Sequence, residues 1–191
     1  FLVSYIFFNE GIETTIITAS IFGAEVIGLR TEELIVFFLV VQATAIAGSI
    51  IFGYLVDRIG NKKSLLISIA VWAVIIIWAR MIGCFGSLRM EFYVLGVMTG
   101  MVMGGSQSAA RSLLASFTPA DKGAEFFGFF AVCGKFAAML GPVVYGTAVL
   151  ITGNLKSGIL VLLVFFVLGG LILLTVDEEE GIISGKPPAS S

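Results

Sequence analysis

Gly53-Tyr54-Leu55-Val56-Asp57-Arg58-Ile59-Gly60-Asn61-Lys62-Lys63 closes one long apolar run and opens the next, and three cations, Arg58, Lys62 and Lys63, fall within it. The spacing predicts a helix that leaves a bilayer at Asp57, a reversal at Gly60, where positive φ carries no steric penalty, and a second helix that re-enters after Lys63. The cations then lie among lipid head groups, and such clusters accumulate on the cytoplasmic side. Any helix hairpin with a basic turn would show the same composition, so by itself the stretch sets topology. Asp57 adds more. An acid at a helix C-terminus opposes the macrodipole by about 0.5 kcal/mol unless Arg58 or a neighbouring helix N-terminus offsets it.

Composition outside this stretch agrees with a membrane setting. Hydrophobic residues make up 58% of the 191, charged residues 13%, and the mean hydropathy is +1.07. A soluble domain is about half apolar and about a quarter charged. The chain therefore reads as an all-α integral membrane protein. The net charge of −2 says little about partners. No signal peptide is recognisable in Phe1 to Phe8, which lacks a basic leader and a small-residue cleavage site. Because Phe1 already lies inside an apolar run, the sequence is expected to continue on its N-terminal side.

The chain contains no His, which removes the commonest metal ligand and the usual proton carrier near neutral pH. Proton chemistry would fall to carboxylates or Lys, and neither a metal site nor a cofactor is expected. Cys84 and Cys133 read as small fillers, not a disulfide. Gly104-Gly105-Ser106-Gln107-Ser108 superficially suggests a serine-hydrolase elbow, but position 108 is not Gly and the chain has no His to act as base. With no nucleophile and base pair, metal-ligand cluster or phosphate loop, an enzymatic role has no support. The eleven cations are scattered over several loops, so a nucleic-acid partner is not expected either.

About 20 apolar residues cross a bilayer, and the sequence divides into six such spans near 1–22, 34–56, 64–82, 92–114, 125–150 and 157–176. One bundle is expected over residues 1–176. The Asp177-Glu178-Glu179-Glu180 run and the Gly/Pro/Ser-rich end read as a disordered cytoplasmic tail, 177–191. Placing the loop after the second span in the cytoplasm puts Arg58, Lys62, Lys63, Arg111 and Lys122 there, against Arg30, Arg80, Arg89 and Lys156 on the other side. That count is nearly balanced, so the clustering at 58–63 sets the orientation, with both ends of the bundle inside.

Two spans carry charges where charges are expensive. Glu10 and Glu13 fall near the middle of the first, three apart on one helix face, and each costs roughly 3 kcal/mol at mid-membrane on insertion scales. Gly11 between them invites a local helix break. The alternative is a helix that starts later and leaves Glu10 near the surface. In the fifth span Lys135 lies about 15 Å past Glu125 along the helix, and Gly128, Lys135 and Pro142 recur on approximately one face. The Gly141-Pro142 pair predicts a kink and a free carbonyl at Ala138. Lys135 then pairs with Glu10 or Glu13 across a cavity, or else snorkels to a surface.

Gln42 and Gln107 are candidate hydrogen-bonding partners in the second and fourth spans. The fourth also carries Gly96, Gly100 and Gly104, a doubled GxxxG face for close helix contact. The third span, with Trp72 and Trp78, reads as a peripheral lipid-facing helix, and the sixth as peripheral or a packing element. Thr118-Pro119-Ala120-Asp121 reads as a helix start with Thr as the cap and Pro at the first helical position.

The loop Gly53, Asp57-Arg58, Gly60, Lys62-Lys63 resembles the signature loop of the major facilitator superfamily, with Val56 and Asn61 departing from the pattern as in a second-half copy. Gly104-Gly105-Ser106-Gln107-Ser108-Ala109-Ala110-Arg111-Ser112, Ala124-Glu125-Phe126-Phe127-Gly128, Gly134-Lys135-Phe136, Gly141-Pro142 and Asn9-Glu10-Gly11 are more distinctive. They resemble the branch related to fungal autophagy-associated vacuolar amino-acid effluxers and their bacterial permease relatives. The resemblance implies six transmembrane helices forming the C-terminal half of a twelve-helix major facilitator fold, which would need an N-terminal six-helix half as its partner.

It also implies alternating access about a central site, in a bacterial inner membrane or, in a eukaryote, a vacuolar membrane. Gly53, Asp57, Arg58, Gly60, Lys62 and Lys63 would form a conformational latch, with Asp57 holding a neighbouring helix start. From the residues themselves, Glu10, Glu13 and Lys135 are expected to line that site, with Gln42 and Gln107 as hydrogen-bonding partners, suiting a zwitterion such as an amino acid. Alternatively the Glu pair carries a coupled proton while Lys135 binds an anion. A half-size or non-transporting six-helix scaffold that dimerises is the competing reading.

Overall fold

The computed structural model describes residues 1–119 and 121–184. In chain order its helices are α1 (Leu2–Glu25), α2 (Thr31–Ile59), α3 (Asn61–Arg80), α4 (Leu88–Phe117), α5 (Gly123–Thr152), the short α6 (Leu155–Gly158), α7 (Val161–Thr175) and α8 (Glu178–Ser184). Each of the six expected spans is helical. Among the described residues, four stretches are long and apolar enough to cross a membrane: α2, α3, α5 and the run Leu155–Thr175. The 24-residue α1 and 30-residue α4 are also long, about 36 and 45 Å at 1.5 Å per residue. They carry more polar residues, Asn9, Glu10 and Glu13 in one and Glu91, Gln107 and Arg111 in the other.

The hairpin that decides the topology is tighter than the sequence suggests. Instead of ending at Asp57, α2 runs to Ile59 and α3 begins at Asn61, so Gly60 alone makes the reversal, at φ +88°. A side chain there would be strained, which is why the position needs Gly.

Helix α2 lies along α4, α1 lies between α5 and α7, and α3 packs on α4 and α7. The α2–α4 contact is the glycine face expected from spacing: a Cβ at Gly100 or Gly104 would run into the backbone carbonyl of Val41 or Ala45. Dispersion between closely approaching backbones holds such a pair together where lipid supplies no hydrophobic drive between helices.

Four expectations require correction. First, α1 is continuous through Gly11; a Cβ there would lie 2.8 Å from the Phe166 ring, so the residue admits α7 and makes no break. Second, α3 is not merely lipid-facing. Trp72 is fully buried, stacked on Phe166 at 5.3 Å, and donates from Nε1 to Ser106 Oγ at 3.1 Å.

Third, Thr118-Pro119 ends a helix instead of starting one. The Thr118 hydroxyl donates to the Leu114 carbonyl at 2.8 Å, Thr118 is extended as the residue before Pro tends to be, and α5 starts later, at Gly123. Fourth, the expected tail contains α8. Its Glu178 carboxylate accepts from the Lys62 backbone N–H at 3.4 Å. The remainder of the expected tail, 185–191, lies outside the described residues.

Two loops at the far end from Gly60 are tied by carboxylates. Glu91 accepts from Trp78 Nε1, Gly83 N–H and Phe85 N–H at 3.2, 3.2 and 3.1 Å. Glu33 takes the Arg30 N–H at 2.8 Å and pairs with Arg89 at 2.9 Å.

Candidate functional site

Helices α1, α4 and α5 enclose an open cavity of about 380 Å³. Positions 5, 9 and 13 fall at intervals of four along α1 and so share one stripe; this brings Tyr5, Asn9 and Glu13 to the cavity wall. Gln107 and Arg111, again four apart, come from α4, and Phe127, Phe130, Gly134 and Lys135 from α5.

The wall between α1 and α5 is part aromatic and part polar. The Tyr5 ring stacks on buried Phe130 at 3.9 Å and 22°, and Asn9 Nδ2 donates to the Gly134 carbonyl at 3.5 Å. The same cavity is lined by one acid and two cations. Glu13 and Gln107 are half-buried, whereas Lys135 and Arg111 are exposed to the cavity side. One carboxylate against an ammonium and a guanidinium leaves the rim cationic by one charge. The arrangement can hold an anionic group at Lys135 and Arg111 while Glu13 accepts a cationic one.

The structure thus brings together Glu13, Gln107 and Lys135 of the residues expected from sequence. No ion pair joins Lys135 to Glu10 or Glu13; the pairs among the described residues are Arg30–Glu33 and Arg89–Glu33. Glu10 sits outside the cavity, 1% exposed, with Oε1 accepting the Gly141 N–H and, at 3.5 Å, the Thr14 hydroxyl. Gln42 is exposed on α2, away from the cavity. Pro142 lies inside α5, as expected. Asn9 and Arg111 were not singled out from sequence. Asn9 precedes Glu10 in a quoted motif, and the four-residue step from Gln107 to Arg111 was the signal that could have found the Arg.

At the signature loop, Lys62 carries the structural ties. Its Nζ donates to the Leu174 and Val176 carbonyls at 3.0 and 2.6 Å, capping the C-terminus of α7. Asp57, Arg58 and Lys63 are exposed, and Asp57 makes no hydrogen bond or ion pair among the described residues. Arg58 and Lys63 flank an open groove with Leu66 and Ile67. Gly53 has open space beside its Cα.

Comparison with known proteins places this geometry in context. The family model described as vacuole effluxer Atg22 like matches residues 1–186. An uncharacterized MFS-type transporter, YxiO, of Bacillus subtilis is 31% identical over 179 residues, which cover 94% of this chain and 41% of that protein. Autophagy-related protein 22 of Cryptococcus neoformans is 31% identical over 193 residues, covering 95% and 35%. The protein of the same name from Kluyveromyces lactis is 26% identical over 192 residues, covering 95% and 38%. The chain spans about two fifths of the length of these relatives.

Proposed function

The chain belongs to the vacuole effluxer Atg22-like family, and on that premise we propose that it is the C-terminal six-helix half of a twelve-helix secondary transporter. In this reading α1 and α4 cross the bilayer beside the four more apolar spans, their polar residues turned to the interior and the cavity. Residues 1–176 form the bundle, the segment from 177 onward lies in the cytoplasm with both bundle ends, and an N-terminal six-helix half completes the site. The host membrane is a bacterial inner membrane, or a vacuolar membrane in a eukaryote.

The observation that carries this reading is the cavity between α1, α4 and α5, where Glu13 faces Lys135 and Arg111. Charged side chains within a membrane bundle are retained where they line a pathway or a water-filled cavity. Two halves rocking about such a site expose it alternately to either side. A solute bearing both charges, such as an amino acid, meets a complementary group at each end: its carboxylate at Lys135 and Arg111, its ammonium at Glu13. Gln107 and Asn9 supply neutral hydrogen bonds, and the Tyr5–Phe130 stack supplies an apolar wall. Asp57, Arg58 and Lys63, exposed at the Gly60 turn, are free to contact the other half as the latch.

Counterflow in proteoliposomes carrying the full-length protein, with pooled labelled amino acids, tests the proposal. Protein-dependent exchange that is lost in Lys135→Met is the expected result. Exchange that survives both Lys135→Met and Glu13→Gln would remove the cavity from the mechanism. No exchange of any amino acid would refute the substrate class.

A further inference from the structure

Glu10 is a buried acid that the solute cavity does not use; Glu91, also buried, is taken up by its three donors at the far end of the bundle. Glu10 lies one helical turn from Glu13 yet turns toward α5, where Oε1 accepts the Gly141 N–H, and Oε2 is buried with no hydrogen-bond partner. Among the described residues, the groups around it supply no counter-charge. On its own helix the neighbouring acid is Glu13. On α5, Lys135 lies at the cavity with its side chain exposed, and Tyr145 buries a neutral hydroxyl. Helix α7 carries no titratable residue from Val161 to Thr175. Arg111 of α4 lines the cavity, and the charges of α2 sit at its two ends.

An ionised carboxylate in such surroundings is unpaired in a low-dielectric site, so the neutral acid is the form that fits. The contact falls at the residue before Pro142, whose missing N–H already deprives the Ala138 carbonyl of its helical donor. This is where α5 has the weakest internal hydrogen bonding and where it would bend. A bend that parted Gly141 from Glu10 would admit water to the carboxyl.

We infer that Glu10 is a proton-binding site, separate from the solute cavity, that releases its proton to water when the α1–α5 contact opens and takes one up before the contact re-forms. This deepens the transporter reading and rests on it: the coupled ion is a proton, carried beside Pro142, while Glu13 serves the solute. The ionised form favours the open contact and the neutral form the closed one, which links protonation to helix position.

The test is infrared difference spectroscopy of the full-length protein in lipid nanodiscs between acid and alkaline buffer. A protonated-carboxyl C=O band should be present in acid, disappear on alkalinisation, persist in Glu13→Gln and be absent in Glu10→Gln. Thr14→Val, which removes the hydroxyl beside Oε1, should shift that band's frequency, and this arm stands even if Glu10→Gln fails to fold. A band that survives Glu10→Gln, that vanishes in Glu13→Gln, or that Thr14→Val leaves unmoved overturns the inference. So does a folded wild type without a titrating band, or a band that answers to sodium and not to pH. In the matching proteoliposomes an imposed pH gradient should drive amino-acid accumulation, and Glu10→Gln should lose that response. Absence of amino-acid exchange with the Glu10 band intact would refute the amino-acid substrate class alone.

Discussion

The Lys62 ammonium donates to the Val176 carbonyl at 2.6 Å, joining the first turn of α3 to the end of α7 across the base of the bundle. A charged hydrogen bond of this kind contributes about 1.5–3 kcal/mol, and the cation also sits favourably at a helix C-terminus. Lys62→Met is therefore expected to lower the thermal unfolding temperature of the purified protein. Lys63→Met, at an exposed neighbour without such a tie, should change it little.

Gly100 and Gly104 face the α2 backbone with no room for a side chain. Gly100→Leu should separate α2 from α4 and cost about 3 kcal/mol or more, beyond ordinary overpacking because backbone atoms are in the way. Gly128→Ala, where nothing lies within 4 Å, should be neutral or slightly stabilising, since Ala is the better helix former. Chemical denaturation in detergent distinguishes the two.

Trp72 is fully buried and anchors α3 to both α4 and α7. Trp72→Ala should cost about 3–5 kcal/mol. Trp72→Phe keeps most of the ring contact with Phe166 but loses the Ser106 bond, so about 1 kcal/mol is expected. The same denaturation series checks the ordering.

Glu91 holds two donors of the loop between α3 and α4, the Gly83 and Phe85 N–H groups, and one from α3 itself, Trp78 Nε1. Glu91→Ala would leave the Gly83 and Phe85 N–H groups without acceptors, and their amide exchange should accelerate by about tenfold or more. Hydrogen exchange read by mass spectrometry over residues 82–91 would show it, with α5 peptides unchanged.

Arg111 shares the cavity with Lys135. If both hold the anionic end of a solute, Arg111→Met should reduce exchange by about tenfold or more, chiefly by raising the half-saturating concentration. Exchange at the wild-type concentration dependence would assign Arg111 to solvent instead.

Much of the architecture was legible because it rests on local rules. Gly60 marked the reversal, the four-residue spacing of Gly96, Gly100 and Gly104 marked a face of α4 for close helix contact without naming α2 as its partner, and apolar run lengths marked the helices. The site was less legible because a few tens of degrees of helix rotation decide which side chain reaches a cavity. Glu10 and Glu13 are three apart, about 60° apart around the helix, enough to send one into the α5 contact and the other into the cavity. Gln42 follows Val41, which lies on the face committed to Gly100; one step of about 100° turns it away. Arg111 was grouped with the cytoplasmic loop charges by counting, which hides its place four residues beyond Gln107.

The turn at Gly60 leaves one residue between two long helices, and that is a mechanical statement as much as a topological one. A link so short has no slack: a displacement at the foot of α2 passes undiminished to the foot of α3, and through Lys62 to α7. Lengthening it by two or three flexible residues would decouple those helices while leaving every side chain of the cavity in place.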